Sequence, residues 1–408
     1  MRLSFNQKYQ INLNAILNAQ EKLQNASASL EKQTKILSPA DDPAGSARVV
    51  ALDQQISQVG QYQNNSVLLK NSLGIEETVL TSLRNANNQA RTLVVSLGNG
   101  VYAQQDRSAI AKQLDNIKQQ MYDLMNQKDA AGGYLFSGFQ QETQPYSLNP
   151  ATGLYEFDGD EGQKALQVSP SVTIASNDSG KVLFEDVNSR FKTSTGTVSG
   201  GITSGSINVE NQSLFDGFYQ QNYDGQTAAN NNYSLVVDGL NNYDIRRNGA
   251  SLIPPVTGAY VSGQAVSFQG LSLQMQGAGP GQLDFSLQPP SKKNALNTLQ
   301  ELINMVETNQ AVGRPLTEAI ADALVQLDNA ALKIDAGVSG IGGRQNILDS
   351  VFEGNEDLQT SNKAFRAQIY EVDYAEALTE LTKQETALQA VQNTFQRVTG
   401  TSLFDYIR

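Results

Sequence analysis

Apolar side chains recur at seven-residue intervals near both ends of this 408-residue chain. A sustained repeat of this length predicts an amphipathic helix with a narrow apolar stripe that needs a partner helix. Since neither terminal helix can bury its own stripe, we expect the two ends to pair with each other or with other copies of the chain. The stripe positions are Tyr9, Ile16, Leu23, Leu30 and Leu37 in the first segment, and Tyr374, Leu378, Leu381, Leu388, Val391, Phe395 and Val398 in the second.

The N-terminal stripe predicts one helix over residues 6–37, and a second helix begins shortly after it. Pro39 disfavours a helical conformation at Ser38, and Asp42 stands directly before Pro43. An aspartate caps the free amide groups at a helix start, and a proline fits the first helical position. We therefore interpret Asp42 as a helix cap and not as an acid or base for catalysis.

Apolar periodicity predicts further helices up to about residue 98, over residues 110–124, and from residue 296 to the C-terminus. A cluster of glycines interrupts the last of these regions, and we expect a tight turn between two helices there. The glycines are Gly337, Gly340, Gly342 and Gly343. The stripe of the last long helix is expected at Leu348, Val351, Leu358, Phe365, Ile369 and Val372, and its phase shifts near residues 372–374.

The character of the sequence changes in the middle of the chain, over residues 146–289. This region is rich in Gly, Ser, Thr, Asn and Pro, and short stretches such as Ser234–Val237 and Ala265–Phe268 alternate in polarity. Turn sequences separate these stretches, so we expect an all-β insertion that forms a small sandwich or two irregular sheets. The segment Asp158–Gly162 resembles a calcium loop, but it lacks the EF-hand spacing and is interpreted as a hairpin turn.

The fold class that follows is α+β and mainly α. We expect a nested antiparallel helical rod, a coiled coil formed by both chain ends, and an inserted all-β domain at its tip. The predicted domains are the terminal coiled-coil helices (1–40 with 375–408), a helical rod domain (41–145 with 290–374) and the β insertion (146–289).

Composition excludes several classes of function. Cys and His are both absent, which removes zinc sites built on these residues, thiolate catalysis and imidazole bases. No run of Lys and Arg suggests nucleic-acid binding, and no apolar run approaches the 18 or so residues of a membrane span. We therefore expect no catalytic residue, no metal or other cofactor, no nucleic acid and no membrane insertion.

The formal net charge is −12, but the two chain ends differ in sign. Residues 1–40 carry five basic and two acidic side chains, whereas residues 345–408 carry five basic and ten acidic ones. This asymmetry favours association of the two ends, modestly and less so at high salt.

Three motifs resemble those of a known protein family. The segment Leu37–Pro43 contains Asp-Asp-Pro after the first helix, Gly133–Gly138 ends in Phe-Ser-Gly, and the chain closes on Leu403–Tyr406, which reads Leu-Phe-Asp-Tyr. These motifs resemble the flagellin superfamily and, within it, the hook-associated protein 3 family of the hook–filament junction. The chain departs from the family pattern at Gln33, where the family usually has glycine.

The resemblance implies a structural and non-enzymatic subunit of the bacterial flagellum that lies outside the cell. Such a protein leaves through the flagellar type III export apparatus without a cleaved signal peptide, while an export chaperone covers the C-terminal stripe. It then forms a ring with copies of itself, between the other hook–filament junction protein and flagellin, through the stripe residues named above. Two alternatives stay open, namely filament flagellin itself and a carbohydrate-active or carbohydrate-binding β domain on a helical stalk.

Overall fold

The structure is a computed structural model that describes residues 5–99, 102–194, 196–308 and 314–400. Most of these residues are helical, and the β-strands lie in the middle of the chain, so the predicted fold class is confirmed. The α-helices are α1 (Phe5–Lys32), α2 (Pro43–Leu97), α3 (Gln104–Met125), α4 (Gln212–Asn222), α5 (Ala295–Glu307), α6 (Arg314–Tyr370) and α7 (Tyr374–Gly400).

The chain folds into two compact units, and the boundary between them falls inside α2 and α6. The first unit comprises residues 1–71, 165–174 and 344–408, and the second comprises residues 72–164 and 175–343. The three-part domain division expected from the sequence stays a prediction.

In the first unit, α1 packs against α7, and the first half of α2 contacts the last part of α6. Ion pairs join the latter two helices at Lys70–Asp349, with an Nζ–Oδ1 distance of 2.7 Å, and at Arg366–Asp53, with an Nε–Oδ1 distance of 2.6 Å. The short strands β3 (Ala165–Gln167) and β4 (Thr173–Ala175) form a hairpin that is hydrogen-bonded to α6. The side chain of Asn355 donates a 2.8 Å hydrogen bond to the carbonyl of Val168.

In the second unit, α2 and α6 are joined by polar contacts across a buried apolar seam that includes Leu80 and Leu83. Arg91 pairs with Asp328, and the buried amide of Asn87 donates a 2.8 Å hydrogen bond to the carbonyl of Leu327. A single hydrogen-bonded polar side chain in such a seam favours one register of the two helices over others. Helix α5 turns an apolar face, with Leu299 fully buried, towards α3.

The turn predicted at the four glycines is wrong, because α6 continues through all of them. Two leucine side chains pack closely against Gly337. A Cβ atom at this position would stand 2.8 Å from Leu183 Cδ2 and 3.3 Å from Leu80 Cδ1. Packing of this kind outweighs the cost of about 1 kcal/mol for a glycine inside a helix. Nothing in the structure explains the glycines at positions 340, 342 and 343, which have open space around them.

The β insertion contains one seven-stranded antiparallel sheet and two short hairpins. The strands predicted at Ser234–Val237 and Ala265–Phe268 are confirmed. The hairpins pair β1 (Tyr146–Leu148) with β2 (Tyr155–Phe157) and β3 with β4. The large sheet contains β5 (Thr197–Val209), β6 (Asn232–Val237), β7 (Asn242–Arg247), β8 (Ala250–Ser251), β9 (Thr257–Ala259), β10 (Ala265–Phe268) and β11 (Leu271–Ser286).

The ribbon of β5 and β11 bends sharply, and this bend closes the sheet around its core. The first part of β11 pairs with β10 and the last part with β6, and the register with β5 shifts on both sides of Gly277. A Cβ atom on Gly205, in one half of the ribbon, would stand 2.6 Å from Leu283 Cδ1 in the other half. The two halves therefore face each other, as in a sandwich whose strands switch layers at a corner.

Glycine is required at this corner. Gly277 has a φ of +120°, and a Cβ atom there would stand 2.3 Å from the carbonyl oxygen of Gly201. Gly200 has a φ of +72° and is equally close to the backbone of Pro280 and Gly281. Only a residue without a side chain fits both the conformation and the space.

The insertion also contains α4, which the expectation of an all-β domain missed. Asn211 caps this helix, because its side chain accepts a 3.1 Å hydrogen bond from the amide of Leu214. Phe215, Phe218 and Tyr219 on one face of α4 are buried in the core of the sheet. The apolar spacing and the preceding asparagine were the available signal, but the surrounding polar residues concealed them.

The segment Asp158–Gly162 is not a hairpin turn, because it connects β2 to β3, which belong to different sheets. Asp160 Oδ1 accepts hydrogen bonds from the amides of Phe139 and Gly162, so this carboxylate organises the local backbone. Among the described residues, no cluster of three or more acidic side chains could hold a metal ion.

A test of the corner is the substitution Gly277→Ala. The added methyl group meets a carbonyl oxygen at an unfavourable φ, so we expect a loss of more than about 1 kcal/mol in unfolding free energy. Urea unfolding followed by tyrosine fluorescence measures this loss. Gly239→Ala is the matched control, because its surroundings are open and its effect should stay within about 0.5 kcal/mol. Equal effects of the two substitutions would contradict the close packing of the corner.

Candidate assembly interface

The two terminal helices form an antiparallel pair inside a single chain. Tyr9 near the start of α1 contacts Phe395 near the end of α7, with ring centroids 5.4 Å apart. Lys22, farther along α1, interacts electrostatically with Glu380 near the start of α7. The mutual pairing of the terminal stripes is thus observed, and the predicted coiled-coil ends are paired as the fold class requires.

This pairing leaves most of the stripe only half covered. The predicted residues that are half-buried are Ile16, Leu23, Leu30, Leu37, Leu381, Leu388, Val391 and Phe395. Tyr9, Tyr374 and Leu378 are 42%, 61% and 51% exposed. Within the described parts of α1 and α7, the only buried apolar side chains are those of Ala19 and Ala377. The side chain of Val398 lies outside the described residues, as does the closing Leu403–Tyr406 motif.

Complementary charge accompanies the apolar contacts of this pair. Hydrogen bonds from Gln384 and Lys383 lower the pKa of Glu380, and the charges of Lys383 and Lys22 add to this effect. On the same side of the pair, Lys35 donates a 3.3 Å hydrogen bond to the carbonyl of Gln368. These groups are exposed to solvent, so their contribution is small and is screened by salt.

Helix α6 in the first unit buries polar residues and exposes apolar ones. Leu348, Asn355 and Asn362 are spaced seven residues apart and all are buried. Leu358 and Phe365, which the sequence pattern assigned to the buried stripe, are 45% and 55% exposed. The pattern identified the helix correctly and Leu348 is buried as predicted, but Asn355 and not Leu358 continues the buried row, because its side chain finds a backbone partner in the β3–β4 hairpin.

In the first unit, the exposed large apolar side chains of α6 lie on one face of the helix. Ile347, Leu358 and Phe365 are separated by 11 and 18 residues, which correspond to nearly whole numbers of helical turns. Other exposed apolar side chains of the first unit lie on α1 and α2. They are Ile11, Leu13 and Leu17 on α1, and Val50, Val67 and Leu68 on α2. Sequence reasoning missed this second set, since only the three-dimensional structure shows which apolar positions lack a partner.

Asp42 lies where the sequence predicted a cap. Helix α2 begins at Pro43, and Asp42 Oδ1 accepts a 2.8 Å hydrogen bond from the amide of Gly45. A Cβ atom on Gly45 would stand 2.2 Å from the Asp42 carboxylate, so the small residue lets the cap approach the helix closely. Ile36 packs beside the same turn, with Cδ1 3.0 Å from that Cβ position.

The Phe-Ser-Gly motif is a packing element of the second unit. Phe136 is fully buried and meets Phe184 edge to face, with ring centroids 5.1 Å apart. The Ser137 carbonyl accepts a 3.1 Å hydrogen bond from the amide of Asp160. Gly138 has a φ of +76°, and a Cβ atom there would stand 2.2 Å from the Asp160 carboxylate. The motif therefore joins the end of the α3 region to the β1–β4 segment.

The terminal pair can be tested by a double-mutant cycle on Tyr9→Ala and Phe395→Ala. A direct aromatic contact predicts a coupling of about 0.5–1.5 kcal/mol, and the partial exposure of both rings favours the lower end. Thermal unfolding followed by circular dichroism at 222 nm measures the coupling. The control cycle combines Tyr9→Ala with Tyr374→Ala at the far end of α7, where we expect no coupling. A zero coupling between Tyr9 and Phe395 would show that the helices do not pair in solution.

Among the described residues, no helix is long and apolar enough to cross a membrane. The fold is shared with two crystal structures from Legionella pneumophila. One is a flagellar hook associated protein-3, 24% identical, with a TM-score of 0.59 over 79% of this chain and 98% of that chain. The other is described as the flagellar junction protein FlgL, also 24% identical, with a TM-score of 0.57 over 79% of this chain and 99% of that chain.

The chain is also similar in sequence to flagellar proteins. The flagellar hook-associated protein 3 of Salmonella typhimurium is 29% identical over 189 residues, which are 46% of this chain and 58% of that protein. The chain thus spans a little more than half the length of the curated relatives that it matches. Residues 3–141 match the family model described as the bacterial flagellin N-terminal helical region. The chain is thus similar in sequence to the N-terminal helical region of bacterial flagellins and to hook-associated protein 3, and it shares its fold with the two Legionella proteins.

Proposed function

We propose that the chain is a structural subunit of the bacterial flagellum that joins hook to filament. Its similarity to a hook-associated protein and to a flagellar junction protein supports this role. The observation that carries it is the exposure of Leu358 and Phe365 on α6, while Asn355 and Asn362 are buried on the same helix. Such a helix is suited to a protein whose outer surface is covered by neighbouring subunits.

The energetics favour assembly through these surfaces. Burying a side chain of the size of Leu or Phe contributes roughly 1.5–3 kcal/mol. Within one chain the terminal stripes gain only part of this burial free energy, because most of their side chains stay half-buried. Ordering a helical residue costs about 1–2 kcal/mol in backbone entropy. The terminal helices therefore gain the most from copies of the chain that cover the remaining apolar surface.

The proposed setting follows the family resemblance. The protein would be exported through the flagellar type III apparatus without a cleaved signal peptide, with a chaperone on the α7 stripe. Outside the cell it would assemble with copies of itself and contact the other hook–filament junction protein on one side and flagellin on the other. The stripe residues of α1 and α7 would supply the contacts.

The alternative of a carbohydrate-active β domain requires two acids in one concave site. Burial raises the pKa of Glu185 and that of Asp216, although hydrogen bonds from Asn294 and Gln212 oppose the shifts. These two acids sit on different elements, and neither lines the open grooves of the sheet, of about 560 and 620 Å³. No observation on the described residues favours this alternative.

Exposed positions give the sharpest test of the assembly role. Phe365→Asp and Leu358→Asp change side chains that are largely exposed, so the purified protein should keep its unfolding temperature. In cells that carry either variant, we expect hooks without filaments and a complete loss of swimming. Thr360→Asp on another exposed face of the same helix is the control and should support normal filaments. Full motility with both α6 variants would refute the role of this face.

The terminal stripe predicts a related result. Leu23→Asp and Leu388→Asp should leave the middle of the chain folded but prevent incorporation at the filament base, as seen by electron microscopy of the appendages. Gln24→Asp and Gln389→Asp, at exposed neighbouring positions, serve as matched controls. If purified wild-type protein grew into long filaments at physiological salt, filament flagellin would be the better assignment.

The large sheet should be dispensable for assembly. Its entry and exit segments are adjacent, because Thr193 and Leu287 form an isolated β-bridge. Replacing residues 195–286 by a short Gly–Ser linker therefore removes the sheet at a natural junction. We expect export and filament growth to persist at a substantial level, measured by secreted protein and filament counts. Loss of both would show that the sheet is needed for assembly itself.

A further inference from the structure

The end of α1 differs from the sequence expectation in a specific way. The helix was predicted to reach residue 37, but it ends at Lys32, and Gln33 adopts a left-handed conformation with a φ of +57°. The amide of Thr34 then bonds to the carbonyl of Ser29, as in the C-terminal cap that usually contains glycine. Here a residue with a side chain holds a backbone conformation that L-residues rarely adopt.

A second chain segment holds this bend in place. Thr34 forms an isolated antiparallel bridge with Glu371, in the short connection between α6 and α7. The amide of Lys35 donates a 2.8 Å hydrogen bond to the carbonyl of Tyr370, and the amide of Val372 donates a 3.2 Å hydrogen bond to the carbonyl of Gln33. We call residues 33–37 together with 370–373 the crossing. It is the place in the first unit where α1 turns towards α2 and α6 turns towards α7.

Local preference and tertiary contacts oppose each other at the crossing. Glutamine is a good helix former and is disfavoured in the left-handed region, so the local sequence favours continuing α1. Pro39 limits that continuation to about Leu37, as the apolar repeat also indicates. Two hydrogen bonds across the crossing oppose this continuation of the helix. The burial of Thr34 and Ile36, which are 8% and 9% exposed, opposes it as well.

Space for the alternative conformation exists beside the crossing. An open groove of about 720 Å³ lies between α1 and α7, and Ser29, Lys35 and Val372 line it. The backbone of residues 33–35 could therefore refold into helix without displacing a filled core on that side. The main loss would be the contact of Ile36 beside the capped start of α2.

We propose that the crossing is a two-state conformational switch with Gln33 as its control residue. In the bent state, residues 370–372 hold Gln33 in the left-handed region, and α1 ends at Lys32. In the straight state, these contacts are absent and α1 extends towards Leu37. The direction of α1 is thereby coupled to the docking of the segment that leads into α7. This inference concerns one chain and does not depend on the proposed role at the hook–filament junction.

The absence of cysteine makes the switch measurable in the full-length protein. Gln24→Cys on α1 and Gln54→Cys on α2 are exposed positions for two spin labels, whose distance distribution reports the two states. Gln33→Gly removes the cost of the left-handed conformation, so the ratio of bent to straight molecules should rise about 5- to 30-fold. Val372→Pro removes a hydrogen bond from the bent state, so the straight population should increase.

Hydrogen exchange supplies a readout that does not require the Val372 variant to fold. In Gln33→Gly, the amides of Lys35 and Val372 should exchange about 5- to 30-fold more slowly than in the wild type. Gln20→Gly, at an exposed position inside α1, is the matched control and should leave both the exchange rates and the label distances unchanged. One identical distance peak in the wild type and Gln33→Gly, with equal exchange rates at the crossing, would overturn the proposal.

Discussion

The structure depends on how narrow apolar stripes are covered. In the first unit, long helices meet along thin seams, so each helix buries one line of side chains and leaves others open to solvent. The α1–α7 pair fully buries only small alanine side chains, and its larger residues remain half-buried. Each helix of a pair covers its partner along one face only, so large side chains such as Leu388 and Phe395 stay partly exposed.

Helix α6 shows that incomplete burial extends beyond the terminal pair. Asn355 is buried because a hairpin carbonyl satisfies its amide, whereas Phe365 remains exposed. Exposed apolar side chains at helical spacing can be covered only by a partner, and in the proposed role this partner is another subunit. The β insertion behaves differently. Its corner glycines and helix α4 close a core in which Phe215, Leu235 and Leu273 are fully buried.

Much of the fold was predictable from the sequence, since its long helices carry a strong period and its strands lie between clear turn sequences. The start of α2 at Pro43, the end of α3 and the strands at 234–237 and 265–268 agree with the pattern, whereas α3 begins at Gln104, six residues before the predicted start. The predictions failed where a contact distant in sequence decides the local conformation. Gly337 stays helical beside Leu80 and Leu183, and α4 is stabilised by a sheet that its own sequence does not reveal.

The sequence by itself determined the type of each long element, the cap at Asp42 and the pairing tendency of the two ends, because these follow from local periodicity and backbone chemistry. Tertiary structure decided which face of α6 is buried and where α1 ends. Both outcomes depend on hydrogen bonds between residues hundreds of positions apart. Asn355 bonds to Val168, and the segment around Gln33 bonds to Tyr370 and Val372. A helical repeat specifies which residues share a face, but it carries no information about the partner that this face will meet.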